Sequence, residues 1–319
     1  MDKQIKSWDD ITKTIQTQYS NIRCISVSYN NKRVYEQYFK TRNFEQKFSV
    51  ASVTKSIVSL LIGIAIDQGH IQSIDEKVMS YFPECYFNDT NSLRDTITIK
   101  NLLTMTAPYP FPAWKEPFLR MAKSEDWVEY SLGSLGKGGR IGTFKYSTSG
   151  THILSALLTK ATGMSAREYA NQNLFNPIGI DEIPLYPMEF DQEHIFGNKV
   201  RGWVSDPLGY SAGGWGLTLS ISDMVKIGQL CLQRGVWNQE KIVSEAWILE
   251  STTTDKNNYG YLWWIGDRKR EYIATGSGGN IIYVNETDNL IIAIASTIIS
   301  RPKDRKYLVE DIRGLLQLK

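Results

Sequence analysis

Strand-like apolar runs occupy both ends of the chain, and helical spacing occupies the middle. Near the start, Ile22-Arg23-Cys24-Ile25-Ser26-Val27-Ser28-Tyr29 and Val34-Tyr35-Glu36-Gln37-Tyr38-Phe39 flank Asn30-Asn31-Lys32. β-Branched and aromatic runs broken by such a turn predict a hairpin. Near the far end, Asn280-Ile281-Ile282-Tyr283-Val284 and Leu290-Ile291-Ile292-Ala293-Ile294-Ala295 flank residues 285–289. This second hairpin is apolar enough to be predicted at the centre of a sheet. Tyr261-Leu262-Trp263-Trp264-Ile265 and Tyr272-Ile273-Ala274 predict two further strands. Arg301 to Leu318 reads as a closing helix, with Pro302 suited to its first turn and Leu308, Val309, Ile312, Leu315 and Leu316 at helical spacing.

Between these ends, residues 52–250 read as mostly helical. An apolar helix over 53–68 ends at Asp67-Gln68-Gly69, where Gly69 suits a left-handed cap. Ile153, Leu154, Leu157, Leu158 and Ala161 predict another helix, ending at Gly163. Ser165-Ala166-Arg167-Glu168 has capping-box spacing. Met224, Ile227, Leu230 and Cys231 predict a further helix that stops near Gly235. Residues 107–117, 133–142 and 202–216 are rich in Pro or Gly and read as loops. The expected architecture is α/β (α+β): an antiparallel sheet flanked by helices, with an inserted helical lobe. The whole chain, 1–319, is expected to be one domain, with a sheet lobe at about 1–70 and 250–319 and a helical lobe at about 71–249.

Composition narrows the class. With 42% apolar and 22% charged residues and a net charge of +2, the chain is neither disordered nor a polybasic nucleic-acid binder. Cys24, Cys85 and Cys231 are far apart and form no CxxC pair, so buried free thiols are expected. The first residues, Met1-Asp2-Lys3-Gln4-Ile5-Lys6, are polar, and the longest apolar run, Ile57 to Ile66, is too short for a bilayer. These features predict no membrane span and a cytoplasmic location.

The sharpest chemical feature is Phe48-Ser49-Val50-Ala51-Ser52-Val53-Thr54-Lys55. Ser52 and Lys55 share one face at the start of the apolar helix, where the dipole favours developing negative charge. A serine hydroxyl needs a base, and a lysine serves as one only if its pKa is lowered. The competing reading is a serine cap beside an exposed lysine. Tyr146-Ser147-Thr148-Ser149-Gly150 puts a tyrosine and small hydroxyls at another helix start, and Thr275-Gly276-Ser277-Gly278-Gly279-Asn280 leads into a strand. Glycines there permit close backbone approach, and the strand could offer N–H groups to an oxyanion.

The SxxK, tyrosine and glycine-strand motifs, in that order, resemble the serine β-lactamase and penicillin-binding-protein superfamily, nearest to class C β-lactamases and their esterase and peptidase relatives. Ile97 to Thr106, Gly213 to Met224, Gly235 to Asn238 and Tyr259 to Trp264 are also similar to family segments, so the resemblance spans roughly residues 20 to 300. It implies a β-lactamase/transpeptidase-like fold with the site between sheet and helical lobe. It implies Ser52 as nucleophile, Lys55 as its proton-transfer partner and Tyr146 as a second acid/base. The backbone N–H groups of Ser52 and Asn280 would hold the oxyanion, and Thr148, Ser277, Gly278 and Gly279 would contact substrate. No cofactor or metal is implied.

The chain also departs from the family. Thr148 stands where Asn is frequent, and a hydroxyl offers less than an amide. Ser277-Gly278-Gly279 carries no Lys or His, which removes a charge-assisted contact to a substrate carboxylate. Ala107-Pro108 stands where relatives often have Ser-Gly. The expected activity is a serine hydrolase acting through a Ser52 acyl-enzyme on the ester, amide or lactam carbonyl of a small molecule or short peptide, esterase- or peptidase-like more than an efficient β-lactamase. The alternative is a weak or inactive relative that binds a peptide or cell-wall fragment.

Rival chemistries fit poorly. A serine triad needs a histidine, and the chain has only His70, His152 and His194, with no Gly-x-Ser-x-Gly elbow. There is no HExxH, and Gly-Lys-Gly-Gly-Arg at 136–140 lacks the ending of a phosphate loop. Trp203, Trp215, Trp263 and Trp264 read as core and cleft wall. Asn88-Asp89-Thr90 and Asn285-Glu286-Thr287 match a glycosylation pattern but read as turns.

Overall fold

The computed structural model describes residues 5–40, 46–87, 93–189, 199–253 and 257–318. An antiparallel six-stranded sheet is built from β1 (Ile22–Tyr29), β2 (Lys32–Tyr38), β3 (Trp264–Ile265), β4 (Glu271–Gly276), β5 (Asn280–Asn285) and β6 (Leu290–Ser296), in the order β2-β1-β6-β5-β4-β3. The principal helices are α1 (Trp8–Gln18), α2 (Val53–Asp67), α3 (Thr148–Thr162), α4 (Ile221–Leu232) and α5 (Arg305–Leu315). Both expected hairpins are present, and β1 pairs with β6, so the two ends of the chain meet in the sheet.

Successive side chains on a strand point to opposite faces, so each central strand feeds two cores. Ile25 and Val27 of β1 and Ile292 and Ile294 of β6 join Ile11 and Ile15 of α1 and Leu308 and Ile312 of α5. Cys24, Ala293 and Ala295 face the other way, into the core that holds α2 and α4. Burial on both faces explains why β5 and β6 read as unbroken apolar runs. Truncating Ile292 or Ile294, both fully buried, to alanine costs about 2–5 kcal/mol. Helix α2 is buried at every position from Val53 to Ala65. A helix apolar all round belongs in a core, and α2 packs against both α3 and the sheet. Its N-terminus therefore opens where the two meet.

Several boundaries differ from the sequence expectation. Helix α5 starts at Arg305, not 301; Pro302 precedes it, and Asp304 caps it by accepting from the Lys306 N–H at 2.8 Å. The strand expected over 261–265 shrinks to Trp264–Ile265, because Leu262 adopts φ +63° and donates its N–H to Leu103 O. Within 202–216, expected as loop, Trp203–Ser205 is a buried strand paired in parallel with Leu185–Pro187. Trp203 and Val204 are apolar enough to be buried, but the glycines on either side of them carry a loop pattern. Gly133 and Ser134, expected to begin the loop over 133–142, belong to the helix Trp127–Ser134. Helix α4 packs on β5 and β6, with Gly228 against the side chains of Ile282 and Ile291. The inserted segment therefore contributes to the sheet's own core.

The cysteines are free, Cys24 and Cys231 buried and Cys85 half-buried. His194 and Asn88-Asp89-Thr90 lie outside the described residues. Among the described residues, no helix is long and apolar enough to cross a membrane.

Candidate active site

Ser52 sits at the mouth of α2 with φ −71° and ψ −2°, and its side chain makes no capping bond. The preceding residue, Ala51, is held at φ +49°, a left-handed conformation that costs of order 1 kcal/mol or more for a residue with a Cβ. This sharp entry turns the Ser52 hydroxyl away from the helix backbone. Lys55, one turn on, is 1% exposed, so the alternative of a surface lysine does not hold. Its Nζ donates to Ser52 Oγ at 3.2 Å and to Gly214 O at 2.8 Å, and lies 3.5 Å from Thr148 Oγ1. Gly214 must be glycine for this: a Cβ there would lie 2.6 Å from Thr148 Cγ2 and 3.1 Å from Lys55 Nζ.

Tyr146 closes the group. Its ring lies beneath Lys55 Nζ, 4.8 Å from the centroid, and its phenol is close enough to Ser52 for that hydroxyl to act on its titration. Burial lowers the Lys55 pKa from 10.5 to about 7, with the Glu116 carboxylate pulling the other way. Burial raises the Tyr146 pKa to about 12; the Ser52 hydroxyl opposes this and Glu116 reinforces it. The two groups that face Ser52 are thus an amine near neutrality and a phenol that keeps its proton.

Glu116 was invisible in the sequence, one carboxylate in a Pro-rich loop. Its side chain accepts from the N–H of Ser149 at 2.7 Å, from the N–H of Thr148 and from Ser147 Oγ at 3.3 Å. Ser147 also caps α3 by accepting from the Gly150 N–H at 2.9 Å. The loop at 107–117 is thereby tied to the start of α3, beside Tyr146. From the same loop, Trp114 stacks on Tyr146 with ring centroids 5.3 Å apart, and on Trp264 at 5.9 Å.

A cleft of about 200 Å³ opens over Ser52, walled by Ser49, Ala51, Phe118, Thr148, Gly214, Trp215, Ser277 and Ile298. The third motif reaches it through β4. A Cβ on Gly276 would lie 2.1 Å from Val50 O and 3.1 Å from Ser52 N, so β4 abuts the entrance to α2. Among the described residues, neither the Ser52 N–H nor the Ser277 N–H makes a backbone hydrogen bond. Ser52, Lys55, Tyr146, Thr148 and Ser277 therefore come together. Asn280, expected to supply an oxyanion donor, does not line the cleft. It is fully buried behind the turn, its Nδ2 donating to Ser277 O and its Oδ1 accepting from the Ser296 N–H, both at 2.8 Å. Gly278 and Gly279 shape the turn, at φ +83° and +81°.

The tryptophans divide. Trp203 and Trp263 are fully buried, Trp215 walls the cleft, and Trp264 packs on Tyr146. His70 is exposed, and His152 is buried against Asp206 at 3.1 Å and is not among the residues that line the cleft.

The sheet, the buried helix and the cleft between them are those of the serine β-lactamase and penicillin-binding-protein class. The Beta-lactamase family model matches residues 22–317, so the chain belongs to that family of hydrolytic serine enzymes. The 6-aminohexanoate-dimer hydrolase of Paenarthrobacter ureafaciens is 21% identical over 282 residues, covering 79% of this chain and 67% of the relative. A Bacillus anthracis structure provisionally assigned the same activity superposes with a TM-score of 0.75 at 18% identity, over 96% of this chain and 82% of that one. A penicillin-binding protein of Bacillus halodurans gives 0.70 at 14% identity, over 96% and 98% of the two chains.

Proposed function

We propose that the protein hydrolyses small uncharged esters or amides through an acyl-enzyme on Ser52. The observation that carries this is the contact between Ser52 Oγ and the buried Lys55 Nζ at 3.2 Å, at an amine titrating near neutrality. Neutral Lys55 takes the Ser52 proton as Oγ attacks the carbonyl. The Ser52 and Ser277 N–H groups, rather than Asn280, hold the oxyanion. Tyr146, whose phenol reaches Ser52, carries the proton on to the leaving group, and water then releases the acyl group.

The cleft supports an uncharged substrate. Phe118, Trp215 and Ile298 form an apolar wall, and among the described residues no Arg or Lys lines it. A carboxylate buried there without a cation would lose its hydration without compensation. The relative named for hydrolysing a 6-aminohexanoate dimer supports a hydrolytic role outside lactam turnover.

Intact mass after incubation with a p-nitrophenyl ester, a penicillin and a fluorophosphonate, each with a Ser52→Ala control, tests the reading. The expected result is an adduct that needs Ser52, with the ester turned over faster than the penicillin. Removing the nucleophile should reduce turnover by several orders of magnitude. Adducts that persist in Ser52→Ala, or none with any probe, overturn it; the second result would favour a binding protein for a peptide or cell-wall fragment.

A further inference from the structure

The turn over Ser277, Gly278 and Gly279 is held from behind by buried side chains that the proposed reaction does not use. Gly278 O accepts from Asn21 Nδ2 at 2.7 Å and from Arg305 Nη2 at 2.9 Å. Gly279 O accepts from Arg305 Nε at 3.2 Å. Arg305 is 5% exposed and Asn21 7%. The two are bonded to each other, Nη2 to Oδ1 at 2.9 Å, and Arg305 also reaches Ser296 Oγ and Lys303 O. Among the described residues, the partners of this guanidinium are carbonyls, an amide, a hydroxyl and the face of the Tyr19 ring, 5.2 Å from its centroid. Burying a cation is costly unless its hydrogen bonds are made, so the arrangement commits Arg305 to the turn. The fit is close: a Cβ on Gly279 would lie 2.6 Å from Arg305 Nε.

A trans peptide points its C=O and N–H in opposite directions. Asn21 and Arg305 pin the carbonyl of the 278–279 peptide on the rear side. Its N–H is thereby directed forward, where Gly279 N donates to Gly276 O at 3.0 Å. That bond fixes the carbonyl of the 276–277 peptide, and the Ser277 N–H must then point the opposite way, towards the cleft that Ser277 lines. We propose that Arg305 and Asn21 are positioning residues that aim the Ser277 N–H at the oxyanion. The inference rests on the acyl-enzyme reading above and on Ser277 as the second donor.

The test uses Asn21→Asp and Arg305→Lys in the full chain. Asn21→Asp is nearly isosteric and keeps an acceptor for Arg305, but cannot donate to Gly278 O or to Thr297 O, which Asn21 Nδ2 also reaches at 2.8 Å. Arg305→Lys keeps the charge and loses the fork. Active sites are first titrated with a fluorophosphonate, so that unfolded protein drops out of the comparison. Per titrated site, kcat/KM for a p-nitrophenyl ester should fall about 10- to 100-fold in each variant. Affinity for a boronic acid, whose tetrahedral adduct places an oxygen in the same hole, should fall in parallel. KM and the acid limb of the pH profile, which reports Lys55, should stay in place. A merely structural role would lower the number of titrated sites and leave each site's kcat/KM and boronate affinity within about twofold, which would overturn the proposal. If the wild-type chain forms no adduct on Ser52, the acyl-enzyme reading itself fails, a separate outcome. Arg305→Met, expected to be the more severe variant, extends the series; if it does not fold, Asn21→Asp decides.

Discussion

Exchanging Lys55 for Met separates what burying the amine costs the fold from what the amine contributes to the reaction. Lys55 is 1% exposed and contacts Ser52 Oγ, Gly214 O and the Tyr146 ring. Burial moves its pKa from 10.5 to about 7. That displacement corresponds to about 5 kcal/mol against the ammonium in the folded state. Between pH 7 and 10.5 the unfolded chain holds the additional proton, so this contribution to stability rises with pH across that window. Below the window the destabilisation is complete. Met has a similar reach and no charge, but it leaves Gly214 O without its donor, returning about 1–3 kcal/mol. Lys55→Met should therefore be more stable than the parent by about 2–4 kcal/mol at pH 6. The difference should shrink steadily towards pH 10. Urea unfolding at pH 6, 8 and 10 measures it. Ester hydrolysis by the same variant should fall by about 10²–10⁴-fold, the range for a lost general base. A variant less stable than the parent at pH 6, or a stability difference that stays flat to pH 10, refutes the argument that the fold holds this amine near neutrality.

Glu116→Gln should move both limbs of the kcat/KM profile to lower pH, because Glu116 raises the pKa of Lys55 and of Tyr146 alike. An acid limb that stays near 7 or moves up would contradict that coupling. Gly214→Ala should push a methyl against Thr148 and Lys55, lowering kcat/KM at least about tenfold and costing about 1–3 kcal/mol of stability; a fully active variant would show that the site accommodates the methyl and does not require glycine at 214. Gly63→Ala places a Cβ 2.3 Å from the Trp247 ring. It should cost about 1–3 kcal/mol, read as a lower Tm, while activity per titrated site is kept.

How much of this was legible in the sequence varies with the range of the interaction. Ser52 and Lys55 lie three positions apart on one helix, and period and spacing identify such a pair without a structure. The hairpins over 22–39 and 280–295 were legible for the same reason, since each is a pair of β-branched, aromatic or apolar runs around a short turn. Glu116 was not, because its partners lie 31 to 33 positions away and nothing in a loop of Pro and aromatic residues distinguishes a capping carboxylate from a surface one. Arg305 was absorbed into a helical pattern whose start was misplaced by four residues, yet its guanidinium reaches Asn21, 284 positions earlier. Asn280 stays off the cleft for a reason of register. Asn280 pairs with Gly276 across the turn, so the residue on the cleft is the first after β4, not the first of β5. The glycines between them gave no signal of which side faced Ser52.

The third motif gains a physical rationale from this arrangement. It carries no cation on its cleft side, where relatives use one against a substrate carboxylate, but a buried guanidinium stands on the opposite side of the same turn. A charge in the cleft recognises a charged substrate directly. A charge behind the turn acts only on peptide dipoles, orienting an N–H whose value is greatest when a carbonyl oxygen becomes an oxyanion. The first device selects in the ground state; the second stabilises the transition state without selecting for charge. A cleft with that geometry and an apolar wall of Phe118, Trp215 and Ile298 should discriminate among acyl groups by size. Each methylene fitted or excluded is worth about 1–3 kcal/mol, or about 10- to 200-fold in kcat/KM. A p-nitrophenyl ester series should therefore rise with acyl length and then fall abruptly once the volume of about 200 Å³ is filled. An ω-carboxylate added to the best acyl chain should abolish that gain. Equal turnover of the charged and uncharged esters would mean that recognition lies outside this cleft.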